Sequence, residues 1–263
     1  MIKVSHETPL CLLDDSRLFN DYDYCLPHLL DQEQGYQDYF LTSVAQHRYI
    51  IMDNSLHELG HAYDEDRLLH WISVLRPNEF IVPDVWQDRD KSVVNARKWA
   101  QVKLPMGVEK VAVVQATTIH EAATCYQTYK DLGYKKIAFS YGASYYHTEM
   151  CPHPNVDLGK AIGRFMVLST FQNNKTLLSN DRVHLLGTAS PIEFGMYKNM
   201  PFIESIDTSN PIMAAIGEVP YTKMGLHMKP IANMNKYQDV SIDFVDEGLV
   251  EYNVEMFRQI NGL

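Results

Sequence analysis

Three aspartates close short apolar runs: Asp53 after Arg48-Tyr49-Ile50-Ile51-Met52, Asp84 after Phe80-Ile81-Val82-Pro83, and Asp207 after Phe202-Ile203-Glu204-Ser205-Ile206. Gln115 closes a fourth, Val111-Ala112-Val113-Val114. A carboxylate at the end of a buried strand costs free energy unless it is hydrogen-bonded, paired or used. Two acids with separated pKa values can divide the work of nucleophile and general acid/base. The alternative for each aspartate is the N-cap of the helix that follows, a position Asp favours. Three of them on separate strands, with Gln115 in the same position of its own unit, point to a site.

A second pattern, His57-Glu58-Leu59-Gly60-His61, matches HExxH. On a helix it presents two histidines on one face to zinc, with the glutamate as general base, the chemistry of a zinc hydrolase. The longer form needs a downstream Gly and a third His, where this chain has Asp64 and Arg67. Glu79, another candidate ligand, begins the next predicted strand. The segment is therefore read as a polar loop after a strand, and no metal or cofactor is expected.

The elements that must position the carboxylates repeat regularly. Asp53 and Asp84 are 31 residues apart, Asp84 and Gln115 are 31 apart, and Gln115 and Gly142 are 27 apart. A βα unit takes about 30 residues. Further apolar runs, Ile137-Ala138-Phe139-Ser140-Tyr141 and Val183-His184-Leu185-Leu186, complete six predicted strands. Between them helical faces are predicted on Leu68, Leu69, Ile72 and Leu75, on Val93, Ala96, Arg97 and Ala100, where Arg97 breaks the stripe, and on Ala122, Ala123, Tyr126 and Tyr129, with Gly133 as a stop. The segment from Gly248 to Ile260 predicts a closing helix with Val250, Val254 and Phe257 on one face. The expected fold is α/β, a single-domain (β/α)8 TIM-type barrel over residues 1–263, with chemistry at the carboxyl ends of its strands. The position of the eighth strand is not evident.

Composition agrees with a large globular domain: 263 residues, 46% hydrophobic, with no apolar run of membrane-spanning length. Cys11, Cys25, Cys125 and Cys151 form no CxxC pair, so they are expected to be reduced thiols. The N-terminus lacks the layout of a signal peptide, and a cytoplasmic protein with no membrane partner is expected. The net charge of -10 disfavours coating nucleic acid through bulk charge, but a local basic surface needs only a few residues. Lys223, His227, Lys229 and Lys236 could supply one. Tyr141, Tyr145, Tyr146 and His147 offer either stacking or packing. Trp86 is expected to pack in the core.

Met52-Asp53-Asn54-Ser55, Val82-Pro83-Asp84, Val114-Gln115, Ser140-Tyr141-Gly142, His184-Leu185-Leu186-Gly187 and Ser205-Ile206-Asp207-Thr208-Ser209 come in the order and approximate spacing of the tRNA-guanine transglycosylase superfamily. The chain resembles most its short branch, often phage-encoded, which puts 7-deazaguanines such as 7-cyano-7-deazaguanine into DNA. The resemblance spans about residues 48 to 215. It implies a pentosyltransferase with Asp207 as nucleophile, Asp53 as general acid/base, and Asp84 reading the base, with Gln115, Tyr141 and Gly142 also at the base. It implies DNA as partner, with tRNA the alternative, protein partners for DNA access, and the host cytoplasm as compartment. Nothing in the sequence matches the C-terminal Cys3His zinc segment of the tRNA enzymes. Asn54-Ser55-Leu56 stands in place of the usual Ser-Gly-Gly, and Thr208-Ser209-Asn210 after the nucleophile departs from the tRNA-enzyme pattern. These differences point to DNA.

Overall fold

The computed structural model describes residues 2–188, 190–223, 225–226 and 237–263. Among them eight strands form one parallel sheet: β1 (Lys3–His6), β2 (Asp23–Cys25), β3 (Ile50–Met52), β4 (Glu79–Ile81), β5 (Glu109–Val114), β6 (Lys136–Ser140), β7 (Arg182–Leu186) and β8 (Ile203–Thr208). Their order is β1-β8-β7-β6-β5-β4-β3-β2, and helices alternate with them, so the fold is α/β of the (β/α)8 TIM type. The chain divides into two compact units, residues 22–139 and residues 1–21 with 140–263.

All six strands expected from apolar runs are present, with small shifts of their ends. One concerns β8, which runs through Asp207 to Thr208 rather than stopping before the aspartate. The two strands without a sequence signal are β1 and β2. Strand β2, Asp23-Tyr24-Cys25, opens on a charged residue yet is buried throughout. Its burial is tolerable because Arg48 Nη2 meets Asp23 Oδ1 at 2.7 Å and the Tyr39 hydroxyl donates to the same oxygen. An apolar-run search passes over a strand whose polar residue is neutralised by a partner 25 positions away.

In residues 22–139, β2 to β6 pair in register, with Cys25 beside Met52, Met52 beside Phe80, and Val113 beside Ala138. Around them lie α2 (Pro27–Gln32), α3 (Gln34–Ala45), α4 (Leu56–Leu59), α5 (Glu65–Leu75), α6 (Arg89–Gln101) and α7 (Ile119–Asp131). Helix α5 starts where the Asp64 side chain accepts the Arg67 N–H, and it buries Leu68, Trp71, Ile72 and Leu75. Leu69 is only half-buried. Helix α6 corrects its predicted face. The buried stripe is Ser92, Ala96 and Trp99, with Arg97 exposed. The large Trp99 side chain sets the inward direction, which turns Arg97 off the stripe instead of through it. Helix α7 buries Ala122, Cys125, Tyr126 and Tyr129, and the chain leaves it through Gly133 at a φ of +87°. Toward the amino ends of the strands, Lys136 Nζ reaches both oxygens of Glu79 at 2.9 and 2.7 Å, and the Tyr49 hydroxyl donates to the same carboxylate.

In the other unit, β8 lies between β1 and β7, with Ser5 beside Asp207 and His184 beside Ser205. Helices α1 (Leu13–Phe19), α8 (Val156–Asn173), α9 (Asn210–Ile216) and α10 (Glu247–Asn261) complete it, while a 3-10 turn, Glu193–Tyr197, follows β7. Helix α10 is the predicted closing helix: Val250 and Val254 join Leu12, Ile212 and Met213 in an apolar cluster, and Phe257 is buried. The four cysteines are free thiols, and no helix among the described residues is long and apolar enough to cross a membrane.

Candidate active site

The helices following the strands are capped by residues other than the strand-end aspartates. Asp64 caps α5, Asp88 caps α6, Thr118 caps α7, Asn155 caps α8 and Asp246 caps α10. Asp53, Asp84 and Asp207 are all buried, and each is held by other groups. The capping alternative therefore does not account for them.

In residues 22–139, the carboxylate of Asp84 lies between two side-chain amides. Asn54 Nδ2 donates to Oδ1 at 2.7 Å, and Gln115 Nε2 donates to Oδ2 at 2.6 Å. Neither amide is free to turn. Asn54 Oδ1 accepts the Leu56 N–H and its Nδ2 also reaches Val82 O, while Gln115 Oε1 accepts the Gln87 N–H. Burial raises the Asp84 carboxyl to about 6, against the pull of the Gln115 and Asn54 donors. The two amides take one position on each carboxylate oxygen, and a carboxylate has about four acceptor positions, so the group can receive further donors beside them.

Asp53, directly after β3, accepts from the Tyr24 hydroxyl at Oδ1 (3.0 Å) and from the Ser55 N–H at Oδ2 (3.0 Å). Burial raises its pKa too, opposed by hydrogen bonds from Asn54, Tyr24 and Ser55. The Ser55 backbone is left-handed at φ +58°, and its hydroxyl meets His28 Nδ1 at 2.8 Å. Burial lowers that histidine to about 4.

The HExxH segment does not form the helix a zinc site requires. Helix α4 is one turn, ended by Gly60 at φ +74°, and His61 lies beyond it. The two histidines thus do not stand four apart on one helical face. Glu79, the third ligand considered, is held by Lys136 and Tyr49. The segment is a loop closed at its base, where the Tyr63 N–H returns to Asn54 O at 2.8 Å. Asp31 secures it by accepting from the Tyr63 hydroxyl, Arg67 and Trp71.

In the unit of residues 1–21 and 140–263, Asp207 Oδ1 meets His184 Nε2 at 2.9 Å, and its Oδ2 accepts the Gly187 N–H at 3.1 Å. His184 Nδ1 meets the Ser205 hydroxyl at 2.8 Å, so the imidazole is fixed at both nitrogens. Gly187 has a φ of +60°, and a Cβ there would stand 2.5 Å from the Tyr141 ring. Glycine is required twice over, for the backbone and for the ring above it. The carbonyls of Leu186 and Gly187 accept from Arg164, whose Nε pairs with Glu193 Oε1 at 2.6 Å in full burial. Tyr197 and Thr188 donate to the same glutamate. This buried network fixes the peptide that presents the Gly187 N–H to Asp207.

The remaining expected residues are distributed as follows. Gly142 follows Tyr141 in a half-buried bend after β6. Tyr145 and Tyr146 are buried against one another, which answers for their presence by packing. Trp86 is not a core residue: 43% of it is exposed, because it sits on the turn after Asp84 and not on a strand or helix face. Lys223 is exposed in the turn bridged by Thr222 and Gly225. His227, Lys229 and Lys236 lie outside the described residues. Nothing in the sequence assigned a role to Asn54, His184, Gly187 or Arg164. Asn54 had a signal in standing next to Asp53. Arg164 had none, since its partners lie 22 to 29 residues away.

Compared with models of known protein families and with curated proteins, the chain matches none.

Proposed function

We propose that this protein is a DNA-guanine transglycosylase, exchanging guanine for a 7-deazaguanine base such as 7-cyano-7-deazaguanine. The observation that carries this reading is that the buried strand-end carboxylates are held in two different ways. Asp84 lies between amide donors with lone pairs to spare, suited to the two adjacent N–H donors of a guanine-like edge. Asp207 is oriented by an imidazole and a peptide N–H, suited to a carboxylate nucleophile.

In the proposed reaction an Asp207 oxygen attacks C1′ of the deoxyguanosine, and the C1′–N9 bond breaks. The bonding pair leaves with the base, which takes a proton from Asp53. The incoming 7-deazaguanine gives its N9 proton back to Asp53 and attacks C1′, releasing Asp207. Burial raises the Asp53 carboxyl above its ordinary value, which favours the proton-carrying form that a general acid needs. A site that hydrogen-bonds the guanine edge rejects bases lacking those donors by about 10⁴-fold. DNA is proposed over tRNA because the motifs resemble most the short branch that acts on DNA, with Asn54-Ser55-Leu56 in place of Ser-Gly-Gly, and Lys223 is assigned to the phosphate backbone.

The test is incubation with guanine-containing DNA or tRNA and labelled guanine, followed by denaturing electrophoresis. A covalent protein–DNA adduct and label uptake, both lost in Asp207→Asn, are expected. Uptake into tRNA alone would move the substrate to the alternative. No uptake into either nucleic acid, beside an active control enzyme, would overturn the reading.

A further inference from the structure

Of the three tryptophans, Trp71 and Trp99 are 3% and 1% exposed, whereas Trp86 is 43% exposed. A single exposed apolar side chain is ordinary. What distinguishes Trp86 is how firmly its backbone is held and what holds it. The Asp88 N–H returns to Val85 O at 3.0 Å, making a tight turn with Trp86 and Gln87 at its tip. Gln87 has a φ of +50°, a conformation that favours glycine. The buried Ser92 hydroxyl accepts the Val85 N–H and donates to Val85 O, fixing one side of the turn. Gln115 fixes the other by accepting the Gln87 N–H.

The same Gln115 amide donates to Asp84 through its other end. One buried side chain therefore sets both the carboxylate and the turn two residues later. A non-glycine residue in left-handed conformation persists only where its surroundings impose it, and such strain gathers at ligand sites. Its effect here is to hold a half-exposed indole on the turn that directly follows a carboxylate able to accept further donors.

We propose that Trp86 is the stacking wall of the Asp84 site: its indole face covers the planar base whose N–H edge Asp84 accepts. The assignment rests on the reading of Asp84 as a base-binding carboxylate. It adds a binding residue and the chemical class of its ligand, a purine-sized heteroaromatic ring system. Stacking answers to the flat face of the base and Asp84 to its edge, so the two contribute separately to affinity and to selectivity.

Tryptophan emission is the readout, since Trp71 and Trp99 are shielded and Trp86 is not. Guanine and 7-cyano-7-deazaguanine are expected to quench wild-type emission saturably, and this response vanishes in Trp86→Phe. By calorimetry, Trp86→Ala weakens both bases about tenfold with unchanged thermal stability, and Trp86→Phe recovers most of the loss. Asp84→Asn is expected to reduce the preference for guanine over adenine while quenching persists. Calorimetric binding without an emission response, or unchanged affinity in Trp86→Ala, would sink the assignment even where the covalent adduct forms. Quenching without any base exchange would uphold it and reject the transglycosylase. Binding of neither base rejects the site itself.

Discussion

His184 Nε2 and Asp207 Oδ1 meet at 2.9 Å across neighbouring strands, with both side chains buried. The Ser205 hydroxyl on the far ring nitrogen completes a chain that fixes the imidazole plane. The Asp207 carboxylate therefore does not choose its own orientation.

His184→Phe removes the partner of Oδ1 and leaves that oxygen buried. If Asp207 is the nucleophile, adduct formation is expected to slow about 100-fold, the scale of a misplaced reacting group. His184→Gln keeps an N–H within reach and is expected to recover part of the rate. Single-turnover trapping of the adduct measures both. Equal rates in the two variants would show that the hydrogen bond does not orient the carboxylate.

Gly187→Ala meets two obstacles, the left-handed backbone and the Tyr141 ring. The first costs about 1–2 kcal/mol and the second about 1–3 kcal/mol. Tyr141→Ala in the same chain is expected to relieve only the second. Denaturant unfolding of the two single variants and the double variant separates the terms. Additive losses would mean that the ring and the glycine do not press on one another.

Asp84 makes opposite demands on stability and binding as pH changes. Its folded carboxyl titrates at about 6, above the ordinary 3.8. Between those values the folded state holds more protons than the unfolded one, so this group's stabilising contribution falls as pH rises from about 4 to 6. The full difference is on the order of 3 kcal/mol. Acceptance of a guanine edge needs the ionised form, so guanine affinity is expected to rise as pH increases through about 6. Asp84→Asn should flatten that rise in a calorimetric pH series. A wild-type profile without a step near 6 would contradict it.

His6 works in the other direction. It is fully buried between the Phe19 and Phe257 rings, and burial and Arg258 together lower it to about 3, against a hydrogen bond with the Thr208 backbone. Between about 3 and 6.5 the unfolded state holds more protons, so stability falls as pH drops below 6.5. At pH 5 the loss is about 2 kcal/mol. His6→Leu is expected to remove it, narrowing the gap between unfolding midpoints at pH 7 and pH 5. An unchanged gap would place the acid sensitivity elsewhere.

The rhythm of the units was legible in the sequence because burial on both faces makes a parallel strand a short apolar run, and such a run can be seen without knowing its neighbours. That local rule yielded six strands, the α/β class, and the positions of Asp53, Asp84, Gln115 and Asp207. It missed β1, which opens on an exposed lysine and buries Ser5 and His6, and β2, whose buried Asp23 is paired with Arg48 25 positions away. It also could not place Trp86, since a tryptophan carries no local mark of whether a turn or a packed face presents it. Only the tertiary structure decided which amide holds Asp84, which imidazole holds Asp207, and that Arg164 fixes the Gly187 peptide. Hydrogen bonds between groups 23 to 31 residues apart are not written in any local pattern, even where the spacing of the units is. The sequence by itself determined where the carboxylates stand along the chain, and the folded contacts decided how each is held.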